Sequence, residues 1–465
     1  MLFRSADVRD IVAALGYEKV NLFGISYGTR LALTIMRDHP EVVRSVVIDS
    51  VVPIQRKMIN SRSEDIQYAL DKMFADCANS PACNDAYPGL QDKFNALIRR
   101  FDEKPVLVKA IDPDSGFVYD IPVNGVEMAG AVVEGMRYSR LLPVIPKAIY
   151  DIEKGDYTFL SFALGASGGA ASEMNMGTYF STVCHEQVYA TTPEEMEADL
   201  DAPPIIKKYA LLSIFGNTNR AFQLCDAWGA LPFDPLNAHP VVSDIPTLVL
   251  AGQYDPVTPV TTAEMVSQDL SNDYFYIVPG MGHAAVIGSD CAVDIVRDFL
   301  RNPGEEPDRR CLETAAFEFF LPYDGRPVTF IPIIERPLRL KGIVPQGWRK
   351  ETIDSVYYRR AYLFDPTQVV FSALPFSKEQ SFQALSNSFS SSGFDETPKR
   401  TGARAANGLD WTIYSSRFNG EPVFLALAEV QRNRTLVLVM VVSAPEREAS
   451  YDGLFLPMLD GLEQQ

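Results

Sequence analysis

Gly24-Ile25-Ser26-Tyr27-Gly28 decides how this chain is read. The apolar run Val20 to Phe23 enters it, and the helix-prone Thr29-Arg30-Leu31-Ala32-Leu33-Thr34-Ile35-Met36 leaves it. A Gly-x-Ser-x-Gly between strand and helix predicts a sharp turn that holds its serine in a strained backbone conformation. Small residues two before and two after, here Gly24 and Gly28, let strand and helix close around it. The following helix aims its first amides at the serine, so the Tyr27 N–H is the candidate donor to an oxyanion. The spelling alone is weak, because at average Gly and Ser usage a chain of this length matches it by chance roughly one time in six. A second match, Gly165-Ala166-Ser167-Gly168-Gly169, lies in a Gly/Ala/Ser-rich stretch with no β-branched strand before it, which predicts a flexible loop.

Three more buried parallel strands are predicted. Val42 to Asp49 is β-branched and almost continuously apolar. Thr247 to Gly252 leads into Gln253-Tyr254-Asp255-Pro256, and Tyr274 to Val278 leads into Pro279-Gly280-Met281-Gly282-His283. Asp255 and His283 therefore both stand just past the carboxyl end of a strand, where the ligand-facing groups of open α/β sheets gather. Ser26 is a poor nucleophile until a base takes its proton; His283 is the candidate base, and Asp255 would hold its tautomer and stabilise it once charged. The chain has four histidines: His39 and His239 read as surface turns before prolines, and His185 stands beside Cys184. Asp49 is the rival acid, behind Asp255 because the Asp255 turn precedes His283 by one normal helical crossover.

Four blocks carry a resemblance: Gly24 to Arg30, His39 to Ser50, Ala251 to Pro259, and Pro279 to His283. In order and spacing they resemble the secreted tripeptidyl aminopeptidases, relatives of prolyl iminopeptidase in the α/β-hydrolase superfamily, over residues 1 to about 311. The resemblance implies an α/β fold of α/β-hydrolase type with Ser26, Asp255 and His283 as the triad. It also implies a peptide substrate cleaved near its free amino terminus through an acyl-enzyme. The stretch Thr182-Val183-Cys184-His185-Glu186 is similar to a cap segment in which such enzymes place an acid near the substrate amine, making Glu186 a candidate amine anchor; from the residues alone, a solvated surface glutamate is the alternative. One departure is large. Family members carry further strands and a His-Gly-Gly-Pro-like loop ahead of the elbow, whereas this chain has Ser5 to Leu15, whose Val8, Ile11, Val12 and Leu15 are spaced as one helix face. The expectation is a partial fold, with the first strands and the oxyanion loop missing, in an amino-terminally truncated chain that is itself inactive or weakened. An esterase with the same triad, and a non-catalytic extracellular binding protein or inactive fragment, remain alternatives.

Composition narrows the classes. The net charge is −18, and residues 312–465 hold 18 acidic and 16 basic residues, so −16 falls on residues 1–311. That argues against nucleic acid or anionic membrane as a partner, and an acidic field favours approach of a peptide amine. No apolar run is long enough to span a membrane. Neither a cofactor nor a metal is called for, and the oligomeric state is left open. All six cysteines precede residue 312, and of the fifteen possible pairings the sequential one is favoured: Cys77 with Cys83 across a turn-rich loop, Cys184 with Cys225, and Cys291 with Cys311 flanking one helix. Isolated thiols are the alternative; disulfides would place the protein outside the cell or in its envelope.

Residues 53 to about 240 form an insertion far longer than an ordinary connection, predicted to be a mainly helical cap. Leu90, Phe94, Leu97 and Ile98, and again Met128, Val132, Val133 and Met136, recur at helical spacing as cap core. After a polar linker at 302–308, residues 312–465 read as a smaller α+β domain of unknown role. It has a hairpin at Glu421–Val430 and Thr435–Ala444, strands at 368–371 and 410–414, a helix at Lys378–Phe389, and a last helix that Pro457 interrupts. Its pattern resembles the PsbP-like sandwich.

Overall fold

The computed structural model describes residues 2–111, 116–173, 175–198, 203–215, 218–315, 317–352, 356–360, 362–389, 395–431 and 433–464. It divides into two units, Met1–Phe320 and Leu321–Gln465.

The first unit is built on four strands, β1 (Val20–Ile25), β2 (Val43–Asp49), β5 (Thr247–Gly252) and β6 (Asp273–Val278), paired in parallel in that order. β2 is buried on both faces over its apolar run Val46-Val47-Ile48, while Arg44 near its start is exposed. Val46 and Ile48 pack with Leu33, Ile35 and Met36 of α2 (Tyr27–Asp38), while Val47 packs on the opposite face with Leu248, Leu250 and Phe299 of α15 (Asp290–Arg301). β1 is an edge strand and alternates; Phe23 is 51% exposed. Helix α1 (Leu2–Ala14) forms where the periodicity predicts, but only part of the stripe is covered: Val12 is buried, whereas Ile11 is 57% and Leu15 66% exposed.

Between β2 and β5 the cap runs through α3 (Met58–Asn79), α4 (Pro81–Ala86), α5 (Leu90–Glu103), the hairpin β3 (Val106–Ile111) and β4 (Val118–Val123), and α6 (Gly125–Arg137). It continues as α7 (Ile145–Lys154), α8 (Thr158–Glu173), α9 (Met176–Glu186), α10 (Pro193–Ala198), α11 (Pro204–Phe215) and α12 (Thr218–Trp228). Both apolar stripes read from the sequence are buried, in α5 and α6. Two features differ from expectation. The hairpin interrupts the helical cap: Asp112-Pro113-Asp114-Ser115-Gly116 between its strands is rich in turn residues, and Val108 and Ala110 alternate as its buried positions. The Gly165–Gly169 match is not a loop but continues α8, because no proline interrupts the run and helix packing overrides the weak propensity of glycine.

Disulfides Cys77–Cys83, Cys184–Cys225 and Cys291–Cys311 join α3 to α4, α9 to α12, and α15 to the turn α16 (Arg310–Thr314). The last closes a separation of 20 residues, worth about 3 kcal/mol on a chain-entropy model. Residues 312–320 stay with this unit: the Phe320 N–H donates to the Pro143 carbonyl, its carbonyl accepts from the Tyr87 hydroxyl, and the Phe317 ring lies 5.1 Å from that of Tyr254.

The second unit holds more strand than the sequence reading assigns. Strands β9 (Arg349–Thr352), β10 (Val356–Arg359), β11 (Gln368–Leu374), β12 (Lys399–Ala406), β13 (Leu409–Phe418), β14 (Glu421–Gln431) and β15 (Arg434–Val441) form one antiparallel sheet. Helix α17 (Lys378–Phe389) covers one face through Phe382 and Leu385, and Phe455 and Met458 cover the other with Trp411. A π-helical turn at Tyr451–Phe455 leads into the short helix Leu456–Asp460, where Pro457 stands in the first turn, the part of a helix that tolerates a proline. Strands β7 (Phe330–Glu335), β8 (Leu340–Pro345) and β16 (Glu463–Gln464) make a small second sheet.

Ile48→Ala is expected to lower the urea-unfolding free energy by about 2–5 kcal/mol, as buried large-to-small changes do, whereas Phe23→Ala on the edge strand should cost under about 1 kcal/mol. Equal costs at the two positions would contradict this layering.

Candidate active site

Parallel pairing aligns the carboxyl ends of the four strands; Ser26, Asp255 and His283 follow three of those ends, whereas Glu186 stands on cap helix α9. Ser26 follows β1 with φ 54° and ψ −122°, a conformation that non-glycine residues rarely adopt. A Cβ on Gly24 would meet the Gly28 carbonyl oxygen at 2.5 Å, so the turn closes only because position 24 lacks one. Gly28 differs from expectation: a Cβ there meets nothing within 4 Å, since it points away from the strand. The turn is held by the Ser26 N–H to the Asp49 carbonyl at 3.0 Å. The Thr29 hydroxyl adds a second tie, donating to the Ser26 carbonyl at 2.6 Å and accepting from the Val52 N–H at 2.8 Å. The Tyr27 N–H is the first amide of α2, and such amides point outward along the helix axis.

Past β5, Asp255 is completely buried. Its Oδ1 accepts the N–H groups of Val257 (2.8 Å) and Thr258 (3.0 Å); its Oδ2 accepts the Thr258 hydroxyl (2.7 Å) and lies 2.8 Å from His283 Nδ1. Burial alone would raise this carboxyl; the adjacent His283 charge and hydrogen bonds from His283 and Thr258 outweigh it and hold the group below its ordinary value. An imidazole so held by Nδ1 leaves Nε2 to exchange a proton. The loops carrying the two residues touch: a Cβ on Gly252 would sit 2.0 Å from the Gly282 carbonyl, and the Tyr254 N–H bonds the Met281 carbonyl. The cap completes the mount, with the His283 N–H donating to the Arg137 carbonyl at 3.0 Å and the Gly282 N–H to Ser139 Oγ at 3.1 Å.

The other histidines sit elsewhere: His39 ends α2, His239 is exposed, and His185 Nδ1 faces the Leu231 carbonyl at 3.1 Å. The rival acid, Asp49, does not touch the imidazole. Its carboxylate accepts the N–H groups of Ala285 (3.2 Å) and Val286 (2.9 Å), at the start of the short helix α14 (Ala285–Gly288). Burial pushes it up to about 6 against the lowering effect of those two bonds.

Glu186 is not a solvated surface residue but 3% exposed. Its Oε1 accepts the Tyr27 hydroxyl at 3.0 Å and its Oε2 lies 3.0 Å from Nε of Arg30, itself 1% exposed and donating through Nη1 to the carbonyls of Pro53 and Ile54. Burial lowers the Arg30 guanidinium against the opposing pull of Glu186. The carboxylate is thus tied to the residue after Ser26, with its charge compensated from within. Sequence reasoning assigned no role to Thr258, whose only signal is its position three after an Asp in a turn, or to Arg30, four residues past the serine and so one helical turn on.

Residues 3–87 match the family model for the alpha/beta hydrolase fold and residues 213–311 that for TAP-like protein. Among curated relatives, the putative hydrolase YuaR of Escherichia coli K12 is 24% identical over 66% of this chain and 61% of its own. Serine protease Hip1 of Mycobacterium tuberculosis H37Rv is 23% identical over 62% and 56%, and the tripeptidyl aminopeptidase of Streptomyces coelicolor A3(2) 24% identical over 64% and 55%. The chain thus spans about 55–61% of the length of these relatives. A solution structure of cyanobacterial PsbP (CyanoP) from Synechocystis sp. PCC 6803 is 10% identical, covering 30% of this chain and 94% of that one at a TM-score of 0.25, too low to bear on fold or function. The fold and the family match define the class of the first unit, an α/β-hydrolase. Residues 213–311 match the TAP-like model, and the chain is similar to peptidases of the tripeptidyl aminopeptidase and Hip1 kind.

Two outcomes follow. Gly24→Ala should destabilise the chain by about 1–3 kcal/mol or more through overpacking, while Gly28→Ala in the first turn of α2 should be neutral or slightly stabilising in urea unfolding. A carboxyl raised from 3.8 to about 6 on folding contributes stability that is complete below its unfolded value and is lost as pH rises through 6, about 3 kcal/mol by pH 7. Asp255 is shifted the other way and acts below this window. Asp49→Asn should therefore flatten the decline in unfolding free energy between pH 4 and 7 relative to the parent; an unchanged slope would remove the buried charge from the account.

Proposed function

We propose that the first unit is a serine hydrolase in which Ser26 attacks a carbonyl, His283 takes and returns the proton, and Asp255 orients and stabilises the imidazolium. The reaction is acyl transfer through an acyl-enzyme, with the Tyr27 N–H donating to the oxyanion. The observation that carries this reading is the 2.8 Å pair between His283 Nδ1 and a fully buried Asp255. Asp49 links the turn of Ser26, a serine of strained backbone, to the turn of His283.

The substrate class we infer is a peptide with a free amino terminus, from which short peptides or residues are released. The TAP-like match, the relatives named as peptidases and the net −16 charge on residues 1–311 support it. Glu186 is the proposed acid on the amine side; with Arg30 already paired to it, it would act on an amine through the Tyr27–Glu186–Arg30 assembly rather than as a lone charge. Three disulfides support a working place outside the cytoplasm, extracellular or in the cell envelope. No described helix is long and apolar enough to cross a membrane.

Hydrolysis of a tripeptidyl p-nitroanilide with a free amine, its acetylated twin and p-nitrophenyl acetate tests this. The free-amine amide should be the preferred amide, and Ser26→Ala or His283→Ala should reduce its turnover by about 10⁴-fold or more. Glu186→Gln should raise KM for the free-amine substrate about tenfold more than it raises KM for the ester. Turnover of the ester alone would favour an esterase, and none on any substrate by the folded chain would favour a non-catalytic protein.

A further inference from the structure

Asp49 belongs to no step of the proposed chemistry, yet it bonds to both reacting turns. We infer that Asp49 is a positioning residue, whose backbone carbonyl fixes the Ser26 turn and whose ionised carboxylate fixes the His283 turn, setting the separation of nucleophile and base. The inference rests on the proposed triad.

The first observation is connectivity. The Asp49 carbonyl accepts the Ser26 N–H at 3.0 Å; on the other side, Oδ1 and Oδ2 accept the N–H groups of Ala285 and Val286, two and three residues past His283. Ser50 reinforces the bridge: its hydroxyl accepts the Ala284 N–H at 2.8 Å and lies 3.3 Å from Asp49 Oδ1 as a donor. The second observation is strain. Among the described residues of the first unit, the non-glycine residues with positive φ are Ser26 (54°), Ser50 (58°) and Ala284 (63°). All three sit at this junction, and each such residue stores of order 1–3 kcal/mol that surrounding bonds must hold. The third is cost. Asp49 is wholly buried and, among the described residues, has no Lys or Arg partner, so its charge rests on backbone amides and one hydroxyl. An uncompensated buried carboxylate is retained against stability where a site needs its geometry.

The carboxylate must be ionised to accept from both amides at once. The charged groups that face it are Asp255, past β5, which raises it, and His283, which lowers it; from β1 it meets the Ser26 amide, and from the turn after His283 the two N–H groups. Its carboxyl stands at about 6, so acidification below that value weakens its hold on the His283 turn.

The test uses the full chain and its Asp49→Asn variant, which keeps the shape but turns an NH2 toward one of the two amides. The burst of p-nitrophenol from p-nitrophenyl acetate should be 10- to 100-fold slower in the variant, the size of effect a small misplacement produces, with KM within about twofold. Its acid limb should be shallower than that of the parent, because the Asp49 proton no longer contributes to it. Equal burst rates and identical limbs would overturn the inference. Amide hydrogen exchange reads the bridge without turnover. Protection at Ala285 and Val286 should drop at least tenfold in the variant while helix α15 stays protected, and in the unaltered protein it should drop as pH falls from 7 to 5. Unchanged protection in both comparisons would overturn the inference even if the burst changed. A parent that shows no burst yet loses this protection on acidification would sink the proposed triad and leave the bridge standing. Should the variant fail to fold, the pH series on the parent decides.

Discussion

Parallel pairing of β1, β2, β5 and β6 is the constraint on which the rest depends. In a parallel sheet every strand ends at the same edge, so the turns after β1, β2, β5 and β6 are forced together although they lie up to hundreds of residues apart in the chain. The register is fixed from both faces by β2, whose alternate residues pack into two separate apolar clusters; a one-residue slip would move each to the wrong face. Gly24 and Gly252 then allow backbone approaches that any side chain would block. Positioning at the site is therefore a property of the sheet, with the cap adding bonds from Arg137 and Ser139 to the His283 loop.

Around this edge the chain buries charge in two different ways. Asp255 has an imidazole and three donors from its own turn, enough to hold it ionised despite complete burial. Arg30 and Glu186 neutralise each other, an arrangement that gains little net stability but is costly to break by removing one partner. Because the Tyr27 hydroxyl joins that pair, the residue beside the nucleophile is tied to cap helix α9. The Cys184–Cys225 disulfide pins the same helix, so the cap and the elbow are mechanically connected.

Much of this was legible in the residues. Strand β5 was readable to the residue, since β-branched apolar runs bounded by turn residues have one interpretation. The elbow was readable because strand, glycine, serine and helix must coincide. The strand-end placement of Ser26, Asp255 and His283 was legible in the residues, and the structure pairs Asp255 with His283. Other features depend on what packs against what. The edge position of β1, hence the exposure of Phe23, cannot be seen in a sequence that is apolar either way. The burial of Glu186 is set by Arg30, 156 residues away. Ser167 shares the elbow's spelling without its context, and its helix shows that context carries the signal. Asp49 invited the role of acid because it ends a strand; its partners, two amides beyond His283, are visible only in three dimensions.

The most direct measurement of the central claim is the site of covalent capture by a fluorophosphonate, located by peptide mass spectrometry on the folded full-length chain. The account predicts a single adduct on the peptide carrying Ser26, lost when His283 is replaced by alanine and absent from Ser167. An adduct on another serine, or one on Ser26 that forms equally fast without His283, would contradict it.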